Sequence, residues 1–240
     1  MDDGSDDGGA MMRALDSLRT PNAGAVRIEI LRHAVNRGAP AARNTGWNAA
    51  TQPYIALLDA DDVWHPWKLE LQHAWMESTP SAAFSGHLSR KSDANGPLSE
   101  PSPQFCARRI GRGRLLVSNA FDTRSVMIRR SLPHRFNEGF RRSDDYLLWL
   151  SLVYGGHEAW LLEVPLASSF KDAYGEAGLS GDLWEMEKSE LAVYGELARQ
   201  GTISAFAHGL ITLYSLAKHL KRVVSRSITT NRSRSSLPRA

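Results

Sequence analysis

Tyr54-Ile55-Ala56-Leu57-Leu58-Asp59-Ala60-Asp61-Asp62-Val63-Trp64-His65-Pro66-Trp67-Lys68-Leu69-Glu70 is the stretch that decides the fold. Its first five residues are a short apolar run that reads as a buried strand. Asp59, Asp61 and Asp62 follow at once, at the carboxyl end of that strand, where ligands bind in open α/β sheets. Three carboxylates on one strand-end turn call for a cation. Oxygen ligands of this kind suit Mg²⁺ or Mn²⁺, which would bridge the turn to a substrate diphosphate.

Working outward, Asn36 to Ala39 is a turn containing Gly38, and Ala41 to Ala50 has helical composition and carries Arg43 and Asn44. Downstream, Pro66 opens an amphipathic helix that runs to Glu77. Met11 to Leu18 predicts a short helix, and Val26 to Leu31 alternates apolar and charged residues as a strand would. Strands are also expected over Ala82 to Ser89, Phe121 to Ile128 and Trp160 to Val164, the last closed by Pro165. Tyr146 to Tyr154 reads as an apolar helix ended by Gly155 and Gly156, and residues 91–103 as a surface loop of turn-formers. Strands alternating with helices predict a mostly parallel α/β sheet flanked by helices.

At 240 residues, 42% of them hydrophobic, the chain can bury one substantial core. One domain over residues 1–170 with a helical extension over 171–240 is the expected organisation. A single cysteine, Cys106, excludes an internal disulfide framework and fits a reducing compartment. The acidic start lacks the apolar core of a signal peptide, and no uncharged run reaches the ~20 residues of a spanning helix. A cytoplasmic location is therefore expected. The formal charge of +3 hides an asymmetry: the last acidic residue is Glu196, and Arg199, Lys218, Lys221, Arg222, Arg226, Arg232, Arg234 and Arg239 follow it. Ile203 to Val224 places Phe206, Leu210, Leu213, Leu216 and Leu220 near helical spacing beside some of these cations. Such a tail attracts an anionic membrane, so a peripheral position at its inner face is expected. Packing on the remaining domain would explain the same helix. Nucleic acid is not an expected partner, because the tail lacks interleaved aromatics and any base-reading motif. No zinc spacing, phosphate-binding Walker loop or nucleophile elbow occurs.

The run from Asn36 to Gln72 resembles the donor half of the family 2 inverting glycosyltransferases with the GT-A, Rossmann-like fold. Asp2-Asp3-Gly4-Ser5-Asp6-Asp7 is similar to the turn that follows the second strand in that family. The resemblance implies that the first strand and helix are missing, leaving a gap in the sheet beside Leu57 and Leu58. It also implies a sugar transferred with inversion from a nucleotide-diphosphate donor, a UDP-sugar foremost, to a glycan or lipid-linked acceptor in surface polysaccharide synthesis. By the same resemblance Asp3 reads the nucleobase, Arg43 approaches the base and pyrophosphate, and Asp59 and Asp61 hold donor and metal. Asp144 and Asp145 match the acidic pair heading the acceptor-side helix, with Asp144 where Glu is usual and Asp145 as the general base. Ser143, Asp144 and Asp145 would equally cap that helix. Gly178-Leu179-Ser180-Gly181 is similar to a segment of bacterial surface-polysaccharide transferases, and would either close over donor phosphates or form a plain loop. The alternative to an enzyme is an inactive remnant or a nucleotide-sugar-binding module.

Overall fold

The computed structural model describes residues 1–17, 27–91, 102, 104–169 and 183–235. Two helices, α1 (Ala10–Ser17) and α2 (Ala39–Ala49), precede the first strand, β1 (Tyr54–Ala56). There follow β2 (Asp62–Trp64), α3 (Lys68–Ser78), β3 (Ala82–Lys91), β4 (Ala107–Arg109), α4 (Arg112–Val117) and β5 (Met127–Arg129). The chain then forms α5 (Asp144–Tyr154), β6 (Glu158–Ser169), α6 (Leu183–Arg199) and α7 (Ala205–Ser235). The 91–103 loop, the Gly178–Gly181 segment, Val26 and Arg239 fall wholly or largely outside the described residues.

The strand order is β1-β5-β3-β6-β2, with β4 also on β6. Only β3 and β6 pair in parallel; the pairings β1·β5, β3·β5, β2·β6 and β4·β6 are antiparallel. The α/β class stands, but the sheet is mixed rather than mostly parallel. The three-residue strands β2, β4 and β5 all run antiparallel to the partners they pair with, so the parallel pairing is confined to the long strands β3 and β6. Three other expectations shift. The strand expected from Phe121 is mostly a crossing segment with a 3₁₀ turn at Thr123–Ser125, and only Met127–Arg129 is strand. The last strand does not stop at Pro165 but runs to Ser169; Pro165 sits opposite Leu88 at a register irregularity, where a missing N–H is tolerated. Among the described residues of 26–31 no strand forms, and pairing there is a single parallel bridge between Asp2 and Arg32.

Apolar burial holds the layers together. Leu147, Leu148, Trp149, Leu150, Leu152 and Val153 make α5 apolar around most of its circumference, and all are buried. A helix of that kind belongs inside a core. Phe84 of β3 stacks on Trp149 at 5.1 Å and meets Phe121 edge-on at 5.0 Å, joining sheet, crossing segment and helix. Gly86 makes that crossing fit: a Cβ there would lie 2.6 Å from the Phe121 ring. A cleft of about 1020 Å³ runs along the outer edge of β1, between Tyr54–Ala60 and Asp2, Asp3, Arg27, Glu29 and Leu31.

Candidate active site

Arg43 is the centre of the site. It stands on α2, a helix with Pro40 in its first turn, where a missing N–H costs nothing. Its guanidinium donates to Asp144 Oδ2 at 2.8 Å and to both oxygens of Asp59, at 3.0 and 3.2 Å. The ring of Phe136 lies 5.5 Å beneath it. One cation thus joins the turn after β1 to the head of α5. Burial opposes the charge on Arg43, but Asp59 and Asp144 outweigh it and hold the guanidinium firmly protonated. A planar fork suits such two-sided binding better than an ammonium would. Asn44 fixes the support by exchanging two hydrogen bonds with the Phe136 backbone, each 2.9 Å.

The acidic pair of α5 divides its work. Asp144 is buried, and burial pushes its carboxyl up to about 6 even though Arg43 pulls the other way. Asp145 is only half-buried; it accepts 2.9 Å from Thr123 Oγ1 and 2.7 Å from the backbone N–H of Tyr146. Burial raises it too, against these hydrogen bonds. Ser143 precedes the helix in the left-handed region, φ 57°, and its side chain makes no cap bond, so the capping role expected of it is absent.

On the aspartate turn, Asp62 does not join Asp59. It begins β2 and pairs with Arg124 of the crossing segment, with burial raising its carboxyl and Arg124 countering. Asp61 is exposed. Among the described residues no three His, Cys, Asp or Glu side chains gather as a ready-made metal site. The donor chemistry nonetheless fits Mg²⁺ or Mn²⁺, which takes one or two carboxylates and completes its octahedron with water and substrate phosphate.

Asp3 lies on the same cleft but is bound to the loop before α2. It accepts from the backbone N–H groups of Arg37 (3.0 Å) and Gly38 (2.7 Å), and lies 2.6 Å from His33 Nδ1. Burial pushes its carboxyl up, yet these bonds outweigh that and hold it low. His33 reaches on to Thr45 at 2.9 Å, linking the turn to α2. Gly4 permits the turn, at φ 73°, with its bare Cα against the backbone of Val35 and Asn36. The structure therefore joins Arg43, Asp59 and Asp144 by hydrogen bonds, with Asp145 next along α5 and held separately by Thr123; Arg43, Asp59 and Asp3 line the cleft, Asp3 serving the loop before α2. His33, Thr123, Arg124 and Phe136 went unpredicted. Their partners lie 30, 22, 62 and 92 residues away along the chain, so no local spacing marks them.

A mixed α/β sheet whose Asp-x-Asp turn is tied through an arginine to an acidic helix head fits the GT-A glycosyltransferase fold. The chain belongs to glycosyl transferase family 2, whose family model matches residues 1–144. It is 31% identical over 53% of its length to the UDP-Glc:alpha-D-GlcNAc-diphosphoundecaprenol beta-1,3-glucosyltransferase WfgD of Escherichia coli, and spans about half of that relative, 49%. It is 26% identical to the amylovoran biosynthesis glycosyltransferase AmsE of Erwinia amylovora, over 90% of this chain and 80% of AmsE. Among solved structures, S. aureus TarS 1-349 in complex with UDP-GlcNAc superposes with a TM-score of 0.64 at 14% identity, covering 92% of this chain and 62% of that one. No helix among the described residues is long and apolar enough to cross a membrane.

Proposed function

We propose that the chain transfers a sugar, with inversion, from a nucleotide-diphosphate donor to an acceptor hydroxyl in surface polysaccharide synthesis. The observation that carries this is the junction Asp59–Arg43–Asp144, which sets a donor-type turn against the helix head that bears Asp145. WfgD, named for UDP-Glc and a diphosphoundecaprenol-linked sugar, and TarS, solved with UDP-GlcNAc, support a UDP-sugar and a glycan or lipid-linked acceptor. The inactive-remnant reading is the weaker one, because the acidic groups and the arginine still meet.

Asp145 is the base. Asp144 is engaged with Arg43, whereas Asp145 is half-buried, and a raised carboxyl accepts a proton more readily near neutral pH. Asp145 takes the acceptor hydroxyl proton, the acceptor oxygen bonds to the anomeric carbon, and the opposite C–O bond breaks with its electron pair leaving on the diphosphate. Asp59 and Asp61 would hold Mg²⁺ or Mn²⁺, whose charge neutralises that leaving group when bound. Arg43 and Asp3 are donor contacts at the pyrophosphate and base ends of the cleft. The catalytic residues lie within residues 1–170, whose core the later helices help to complete, and the chain works in the cytoplasm at the inner face of a membrane.

Calorimetric titration with UDP, with and without Mn²⁺, tests the donor half. Asp61→Ala should lose the Mn²⁺-dependent part of binding, and equal binding in variant and parent would sink the assignment. Asp145→Asn should keep UDP affinity while turnover falls at least 10²-fold, about the contribution of one positioned base.

A further inference from the structure

We propose that the outward face of α7 docks on an anionic membrane surface, lying in its plane. Phe206, Leu210, Leu213, Ala217, Leu220 and Val224 recur at alternating steps of four and three residues and so form one stripe along α7. All six point to solvent; Phe206 is 77% and Leu213 67% exposed. The opposite face packs on α6 and is the more polar one. It buries Ile211 and Ser215, and its Thr212 and Ser215 hydroxyls and His219 Nδ1 find no hydrogen-bond partner among the described residues. Lys218 fastens this side through Glu190 of α6 and the Val117 carbonyl at the end of α4. A surface helix of a globular protein normally turns its apolar stripe inward. Here the stripe faces out, and an exposed patch of this length marks a surface that something apolar covers.

Charge decides what covers it. Besides Lys218, which is held by Glu190, Lys221, Arg222, Arg226, Arg232 and Arg234 all belong to α7, and no acidic residue occurs after Glu196. A second copy laid on the stripe would bring two all-basic helices together with no carboxylate to pair them. An anionic bilayer offers hydrocarbon to the stripe and phosphate to the cations at once. Nucleic acid would satisfy the cations but leave the stripe wet. The proposal stands whether or not the transfer reaction above is correct.

The test is co-sedimentation of the full chain with vesicles of phosphatidylcholine alone or mixed with phosphatidylglycerol, together with its size in solution. The chain should be monomeric, should sediment with the anionic vesicles and not the neutral ones, and should be released as salt rises. Leu210→Ser/Leu213→Ser/Leu220→Ser should lose vesicle binding at an unchanged melting temperature, because these side chains support no core. Lys221→Glu, also at an exposed position, should weaken binding by roughly fivefold or more for each charge lost. Undiminished sedimentation of the triple-serine variant would show a purely electrostatic tail and overturn the proposal. A dimer that the triple-serine variant splits, with no vesicle binding by the parent, would assign the stripe to a second copy instead.

Discussion

Lys68 is fully buried, its ammonium 3.8 Å above the Trp64 ring and without a hydrogen-bond partner among the described residues. Burial pushes it down to about 7. The folded chain therefore binds fewer protons there than the unfolded chain between pH ~7 and ~10.5, so this residue's destabilisation is complete below that window and relaxes as pH rises through it. Lys68→Met removes the charge and keeps the length of the chain. After a discount for the ring contact, worth about 2 kcal/mol when desolvated, the variant should be more stable at neutral pH by roughly 1–3 kcal/mol. Denaturant titrations at several pH values would measure it, and the gain should shrink toward alkaline pH. A constant difference would mean that the ammonium is not the source.

At the scale of elements, the aspartate turn is held from two sides. Arg43 grips Asp59 from α2, and Arg124 grips Asp62, whose side chain is 6% exposed, while the Arg124 carbonyl accepts from Trp64 Nε1 at 2.8 Å. Arg124→Met should cost about 2–4 kcal/mol, because it strands a buried carboxylate, and Asp62→Asn in the same chain should return much of it. The loss should lessen toward acid pH, as Asp62 takes up a proton. The single variant melting like its parent would show that β2 needs no such fastening. These pairs explain what could be read from sequence and what could not. The strand, the Asp-x-Asp turn, the Arg43 helix and the acidic helix head follow from composition, spacing and family likeness along short stretches. That Arg43 would join Asp59 to Asp144, 101 residues on, does not. Hydropathy even misleads on α3, where Leu69 is exposed and Lys68 buried, because Lys68, Gln72 and Met76 share the inward face. Gln72 earns that position by donating to the Ser85 and Ser125 carbonyls at 3.1 and 2.9 Å, a requirement that no local pattern reveals.

For the whole molecule, α6 and α7 contribute unequally to the core. Val193, Tyr194 and Leu197 of α6 and Ile203 beyond it belong to the same buried cluster as Phe84 and Trp149. Tyr194 also donates 3.1 Å to the Leu116 carbonyl, beside the 2.8 Å bond from Tyr146 to the same oxygen. Four such side chains stabilise by roughly 8 kcal/mol, which is comparable to the whole stability of a domain. A chain ended at residue 182 should therefore fail to fold cooperatively. From α7 the cluster takes Ile211, and Glu187 on α6 is buried beneath that helix; its one ion-pair partner among the described residues is His219, 3.7 Å away. Ending the chain at Ser204 forfeits about 2–3 kcal/mol of apolar burial and frees Glu187 to hydrate. That chain should keep one cooperative transition, with a melting temperature lower by roughly 5–10 °C. Calorimetry on the two shortened chains separates the roles: a broad or absent transition in both would make α7 a structural element of the core, whereas survival of the longer one leaves its exposed stripe to a purpose other than folding.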